Sequence, residues 1–246
     1  MLKIIKKIKS IAFVTGMILI CISPQAKASL SVLLYHQVSD TKRYGISEEN
    51  FKQQMDYLKE NGFTFLSHEQ LLVAFNKEVD FSDKKYVAVT FDDGWRSQMK
   101  AVTIMSERKI PAIFFINGEP IASKWGGYFT KEHLKEIESN PLFTIADHSY
   151  SHQIKILHNH ELLKDDYKKN IEFLKNNLKV YSLVYAYPYG SKTKEYLDYL
   201  KEQNVQLIYG TSGVKIHNTT KTSKYDIPRF TITNSVTFEQ FKKYVN

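Results

Sequence analysis

Residues 86–95 read Tyr-Val-Ala-Val-Thr-Phe-Asp-Asp-Gly-Trp. The first six are almost all β-branched or aromatic, which predicts a strand over 86–91. The strand stops at two adjacent carboxylates, Asp92 and Asp93, followed by Gly94. Taken alone, Asp-Gly is a common turn pair. Adjacent carboxylates at a strand end also repel and do not bury easily. Neighbouring residues leaving a strand point different ways. One Asp can therefore ligate a cation while the other faces a substrate.

The same strand-then-helix pattern repeats on both sides. Upstream, 31–35 is a short apolar run that reads as a buried strand. Ser47 begins a helix with Phe51, Met55 and Leu58 on one face, and Gly62 ends it. Ser67 with Gln70 forms a capping box for a helix through Leu71, Leu72 and Phe75. Downstream, a helix runs to about Lys109, then Pro111 precedes a strand over 112–116. Thr130 caps a helix carrying Leu134 and Ile137, and 142–146 is a strand. A long helix carries Leu163, Tyr167, Ile171, Leu174 and Leu178. Strands follow over 181–187 and 205–209, with a helix capped by Ser191 between them. A late strand lies within 225–232, and Thr237 with Gln240 opens a closing helix. Some seven strands alternate with helices, with no break in composition. The pattern predicts an α/β fold on a parallel sheet, closed as a barrel or doubly wound. In a barrel the chemistry gathers at the C-terminal ends of the strands.

Two further motifs fall at such ends. His148-Ser149-Tyr150-Ser151-His152 follows the strand at 142–146. Histidines four apart share a face of a helical turn and suit chelation of one metal. With Asp93 they form a His-His-Asp set with open positions, the pattern of a catalytic metal site. Ala186-Tyr187-Pro188-Tyr189-Gly190 ends the strand at 181–187. Pro188 fixes the backbone and Gly190 permits a sharp turn, so the Tyr189 N–H can be aimed into a pocket as an oxyanion donor. His36, in Leu33-Leu34-Tyr35-His36-Gln37, is a fourth strand-end candidate. His217 lies in a polar loop and is held in reserve. His68, His133, His158 and His160 read as solvated. Trp95, Trp125 and Tyr128 are candidates for stacking on a ring-shaped ligand.

Composition narrows the possibilities. Five of the 34 basic residues, and none of the 26 acidic ones, fall in residues 1–28, so the formal charge of +8 drops to about +3 beyond them. No basic stripe remains, which argues against a nucleic-acid partner. No Gly-rich loop for a nucleotide is present. A metal-dependent phosphoesterase would need the further carboxylates and histidines of a two-metal site. The lone cysteine, Cys21, excludes disulfides. Residues 1–28 combine a lysine-rich head, an apolar run over 11–22 and the exit Ala26-Lys27-Ala28. This predicts a signal peptide cleaved after Ala28, an exported chain over 29–246, and membrane contact only through the segment if it is uncleaved.

In order and rough spacing, TFDDG (90–94), HSYSH (148–152) and AYPYG (186–190) match three motifs of one family. The chain resembles the polysaccharide deacetylases of carbohydrate esterase family 4, the NodB-homology domain, over about residues 30–232. The opening LLYHQV (33–38) and the late IPRF (227–230) look most like the exported deacetylases of poly-β-1,6-N-acetylglucosamine, a biofilm polymer. The resemblance implies a distorted (β/α) barrel of about seven strands in a single domain. It implies Asp92 as general base and His36 as general acid. It implies Asp93, His148 and His152 as ligands of one divalent ion, zinc foremost, with nickel, cobalt or iron as alternatives. It also implies the Tyr189 backbone as oxyanion donor, with Trp95, Pro188, Tyr189 and Arg229 facing a polysaccharide. The Arg that precedes Pro-Tyr in much of the family, and orients the base, is Ala186 here, as it is absent from the biofilm branch. Arg229 is the candidate replacement. Late Asp-Trp and Leu-x-His motifs are not found, and no glycoside-hydrolase partner domain is expected. Peptidoglycan, chitin oligomers or another acetylated glycan are the alternative substrates. A non-catalytic carbohydrate-binding protein is the alternative of another class.

Overall fold

The computed structural model describes residues 29–81 and 83–246. The signal-peptide reading of residues 1–28, with Cys21, lies outside the described residues. The chain opens with β1 (Ser29–Tyr35), β2 (Gln37–Val38), β3 (Gly45–Ile46), α1 (Glu48–Glu60), β4 (Thr64–Phe65) and α2 (His68–Asn76). It continues through β5 (Lys85–Phe91), α3 (Met99–Arg108), β6 (Ala112–Ile116), α4 (Gly118–Ala122), α5 (Lys131–Ser139) and β7 (Phe143–Asp147). It ends with α6 (His160–Asn177), β8 (Val184–Ala186), α7 (Lys194–Glu202), β9 (Leu207–Tyr209), β10 (Phe230–Thr231) and α8 (Phe238–Val245).

The main sheet runs β10-β1-β5-β6-β7-β8-β9, with β4 added beside β5. Its pairings are all parallel. The sheet curls until Tyr209 of β9 meets Ile227 in a parallel bridge, three residues before β10, which itself pairs with β1. The ring is a distorted (β/α) barrel, joined on that side by a bridge instead of a full ladder.

Both faces of the sheet are covered, which explains the continuous apolar strands. Every residue of β1 is buried. Leu30 and Val32 pack inward with Ile113, Phe115, Ala146 and Tyr209. Leu33 and Tyr35 belong to the outer core with Phe51, Met55, Phe91 and Phe114, under the helices. The helix starts follow their caps. Ser47 accepts from the Asn50 N–H, and α2 and α8 begin with the expected capping boxes at Ser67 and Thr237. Thr130 forms a third box, with His133 as the reciprocal partner.

The later strands are shorter than expected. The 181–187 run yields only Val184–Ala186, and Thr193, not Ser191, caps α7. The stretch 225–232 supplies the Ile227 bridge and two paired residues, 230 and 231. His68 is buried, with its Nε2 against the Ser182 hydroxyl, so it is not the solvated residue expected.

Candidate active site

A cavity of about 510 Å³ opens at the C-terminal ends of the strands. Its lining draws on the exits of six of them: His36 after β1, Asp92 and Asp93 after β5, Asn117 after β6, His148 after β7, Tyr187 after β8 and Thr211 after β9. This volume is ordinary for a small-ligand site. The ring of parallel strands thus converges residues that lie as far as 197 positions apart, Leu34 and Thr231.

Asp92 is only 2% exposed. Its carboxylate is gripped by Arg229, with Nη1 donating to Oδ1 at 2.7 Å and Nη2 to Oδ2 at 2.8 Å. Arg229 is itself fully buried. Its Nε donates to the Gly210 carbonyl at 2.8 Å, and its guanidinium stacks over Phe115 and Tyr209. Burial pushes the Asp92 pKa up, but the Arg229 charge, helped by His148 and His36, outweighs it and holds the carboxyl at about 2. Asp92 is therefore ionised throughout the neutral range. Arg229 does not line the cavity; its guanidinium holds both Asp92 oxygens from behind it.

Asp93, His148 and His152 each present a ligand atom, all within 4.8 Å of one another. Asp93 Oδ1 stands 3.5 Å from His148 Nε2 and 3.7 Å from His152 Nε2. Two neighbours fix this arrangement. The Trp95 indole N–H donates to Asp93 Oδ2 at 2.8 Å, which leaves Oδ1 to face the two rings. His148 Nδ1 donates to the Ala186 carbonyl at 2.8 Å, which leaves Nε2 to face Asp93. Burial, then the nearby His148, lowers the His152 pKa to about 4 against the pull of Asp93 and Asp92, so His152 is neutral near pH 7. Imidazole nitrogens and a carboxylate oxygen at this spacing fit one divalent ion of the zinc, nickel, cobalt or iron type.

The segment between the two histidines is not the helical turn expected from their spacing. Ser149 (φ 70°) and His152 (φ 53°) both adopt left-handed backbone. For residues with a Cβ this costs roughly 1–2 kcal/mol each. Hydrogen bonds from outside the motif offset the strain. Asp147 Oδ1 accepts from the Ser149 N–H at 2.6 Å and from Asn170 Nδ2 at 2.9 Å. Asp166 accepts from the Tyr150 N–H at 2.7 Å and the Ser151 N–H at 3.0 Å. Asn117 Nδ2 donates to the His148 carbonyl at 3.1 Å. Sequence reasoning missed these supports. The available signal was a polar pair, Asp166 and Asn170, four apart on the buried face of α6.

The remaining candidates fall as follows. His36 lines the cavity, its ring tilted on Tyr44 at 5.6 Å between centroids. The Gln98 amide N–H₂ donates to the backbone carbonyls of both His36 and Asp92, each at 2.6 Å. Tyr189 also lines the cavity, in left-handed backbone (φ 58°), and its hydroxyl donates to the His152 carbonyl at 3.1 Å. Pro188 is buried beneath that turn and does not line the cavity. Trp95 lines it but lies flat against Tyr128 at 4.1 Å, so its polar edge serves Asp93. His217 sits next to Ile216, which bridges Leu30 near the start of β1, at the opposite end of the barrel from the mouth.

Residues 81–208 match the family model described as polysaccharide deacetylase. The chain is 26% identical to a poly-beta-1,6-N-acetyl-D-glucosamine N-deacetylase of Staphylococcus aureus, across 86% of this chain and 76% of that protein. The structure of IcaB from Ammonifex degensii aligns with a TM-score of 0.79 and 27% identity, covering 89% of this chain and 97% of that one. The Streptococcus pyogenes deacetylase PplD, solved in complex with acetate, shares the fold at a TM-score of 0.77 and 19% identity, covering 89% and 99%.

Proposed function

The chain belongs to the polysaccharide deacetylase family, and from that premise we propose that it removes N-acetyl groups from poly-β-1,6-N-acetylglucosamine outside the cytoplasm. The observation that carries this reading is one cavity lined by Asp92, the Asp93/His148/His152 set and His36. The likeness to the Staphylococcus aureus enzyme over most of both chains supports the choice of polymer. Export rests on the signal-peptide pattern of residues 1–28.

In this mechanism Asp93, His148 and His152 would hold one divalent ion. When bound, the ion supplies Lewis-acid chemistry, easing loss of a proton from water and polarising the acetamide carbonyl. Asp92, kept charged by Arg229, accepts the proton of the attacking water. The Tyr189 backbone N–H donates to the oxyanion as it develops. His36, in its protonated form, gives a proton to the departing amine. The products are acetate and a glucosamine unit. A neutral polymer becomes cationic and adheres to anionic surfaces.

The test is acetate release from poly-β-1,6-N-acetylglucosamine oligomers by the purified protein, with and without chelator. Asp92→Asn and His36→Ala are each expected to lower kcat by about 10²–10⁴, and chelation to abolish release. Release from peptidoglycan or chitin oligomers alone would replace the substrate. Full activity in His36→Ala would remove His36 as the acid.

A further inference from the structure

Asp166 touches neither the cavity nor a ligand atom, yet it is buried to 7% exposure on the second turn of α6. Both of its oxygens are spent on the loop that separates the two histidines. Oδ2 accepts from the Tyr150 N–H at 2.7 Å and Oδ1 from the Ser151 N–H at 3.0 Å. Those two peptide units lie between the left-handed residues Ser149 and His152. A charged acceptor bonded to consecutive N–H groups fixes both peptide planes. The angle between the His148 and His152 rings, whose centroids are 4.7 Å apart, follows from those planes.

The grip is continued four residues along the same helix face. Asn170 Nδ2 donates to Asp147 Oδ1 at 2.9 Å and to the Ile116 carbonyl at 2.8 Å. This ties α6 to the ends of β6 and β7. The Tyr150 ring packs against the outer core that holds Phe173 of α6. α6 thus holds the middle of the chelating loop, beside the supports from Asp147 and Asn117.

We propose that Asp166 is a positioning residue for the metal site, and that affinity for the divalent ion depends on its carboxylate. The inference rests on the reading of Asp93, His148 and His152 as ligands. Groups of this kind typically change metal affinity by about ten- to a hundredfold.

The test is zinc affinity of the metal-free protein, read by competition with a chromophoric chelator. Asp166→Asn keeps the shape but presents an amide in place of one acceptor. It is expected to bind zinc about ten- to a hundredfold more weakly, and to recover near wild-type kcat at saturating zinc. Asp165→Asn, at the exposed neighbouring position, is expected to bind as wild type does. Asp166→Glu keeps the charge and displaces it by one methylene, so it is expected to lose affinity as well, and it carries the test if Asp166→Asn does not fold. Affinity within twofold of wild type in either folded variant overturns the proposal. Asp93→Asn separates the two layers. If it loses zinc while the Asp166 variants do not, this inference alone fails. If it binds zinc as wild type does, the ligand assignment fails and takes the inference with it.

Discussion

Asp92 has to stay charged where almost no water reaches it. A carboxylate in that position survives by pairing, and Arg229 supplies two parallel bonds that a lysine cannot reproduce. The pair also sets the working range of Asp92 as the proposed base. Arg229 lowers the Asp92 pKa, so weakening the pair raises it. A protonated Asp92 cannot accept a proton, and activity is lost on the acid side. Arg229→Lys is therefore expected to move the acid limb of the kcat/KM profile to higher pH, with a larger loss at pH 6 than at pH 8. An acid limb left in place would show that Arg229 does not tune the base. Truncation to Ala is a poorer test, because an unpaired buried charge costs about 3–5 kcal/mol and threatens the fold. Asp92, Asp93, His148 and His152 were legible in the sequence because each lies in a short motif. Arg229 lies 137 positions from Asp92 and was only a candidate, since no local pattern tells a buried guanidinium from a solvated one.

At the scale of elements, the loop after β7 carries two left-handed residues and is held by side chains from α6, the end of β6 and Asp147. Its anchor, Asp147, is fully buried, and burial pushes its carboxyl up to about 7 against hydrogen bonds from Asn170 and the Ser149 N–H. In the unfolded chain an Asp titrates near 4. Between those values the folded state holds the proton and the unfolded state does not. Stability therefore falls as pH rises from about 4 to 7 and then levels, by an amount on the order of a few kcal/mol. Asp147→Asn removes the titration while keeping an acceptor for the Ser149 N–H. Urea unfolding of the metal-free proteins should show the variant gaining on wild type between pH 4.5 and 7.5. Parallel curves for the two would mean that Asp147 does not carry the pH dependence. The helices were readable at this scale, because Ser47, Ser67, Thr130 and Thr237 each cap where a side-chain oxygen meets an N–H three residues on. The loop was not. Histidines four apart fit a helical turn equally well, and it is long-range contacts, with α6, Asn117 and Tyr189 as well as Asp147, that select the left-handed form.

Across the whole molecule, alternation of strands and helices leaves a barrel and an open sheet equally acceptable. The Tyr209–Ile227 bridge and the β10–β1 ladder decide it, and both are long-range facts that composition does not encode. Curling the sheet brings the aromatic residues to one rim. Trp125, Tyr44 and Tyr189 are each about half exposed around the mouth. Trp125 meets the edge of Tyr128, Tyr128 stacks on Trp95, and Trp95 holds Asp93. A line of rings thus runs from the rim to Asp93, the proposed metal ligand, and its two ends should behave differently. Trp125 touches none of the reacting groups, so Trp125→Ala is expected to raise KM for a long oligomer several-fold with kcat nearly unchanged, the mark of lost uniform binding. Trp95→Phe keeps a ring but loses the bond to Asp93, so its loss should fall on kcat and on the metal requirement. Steady-state kinetics on oligomers of increasing length separate the two. A Trp125→Ala effect confined to kcat, or equal for short and long oligomers, would exclude the rim as a platform for flanking sugar units.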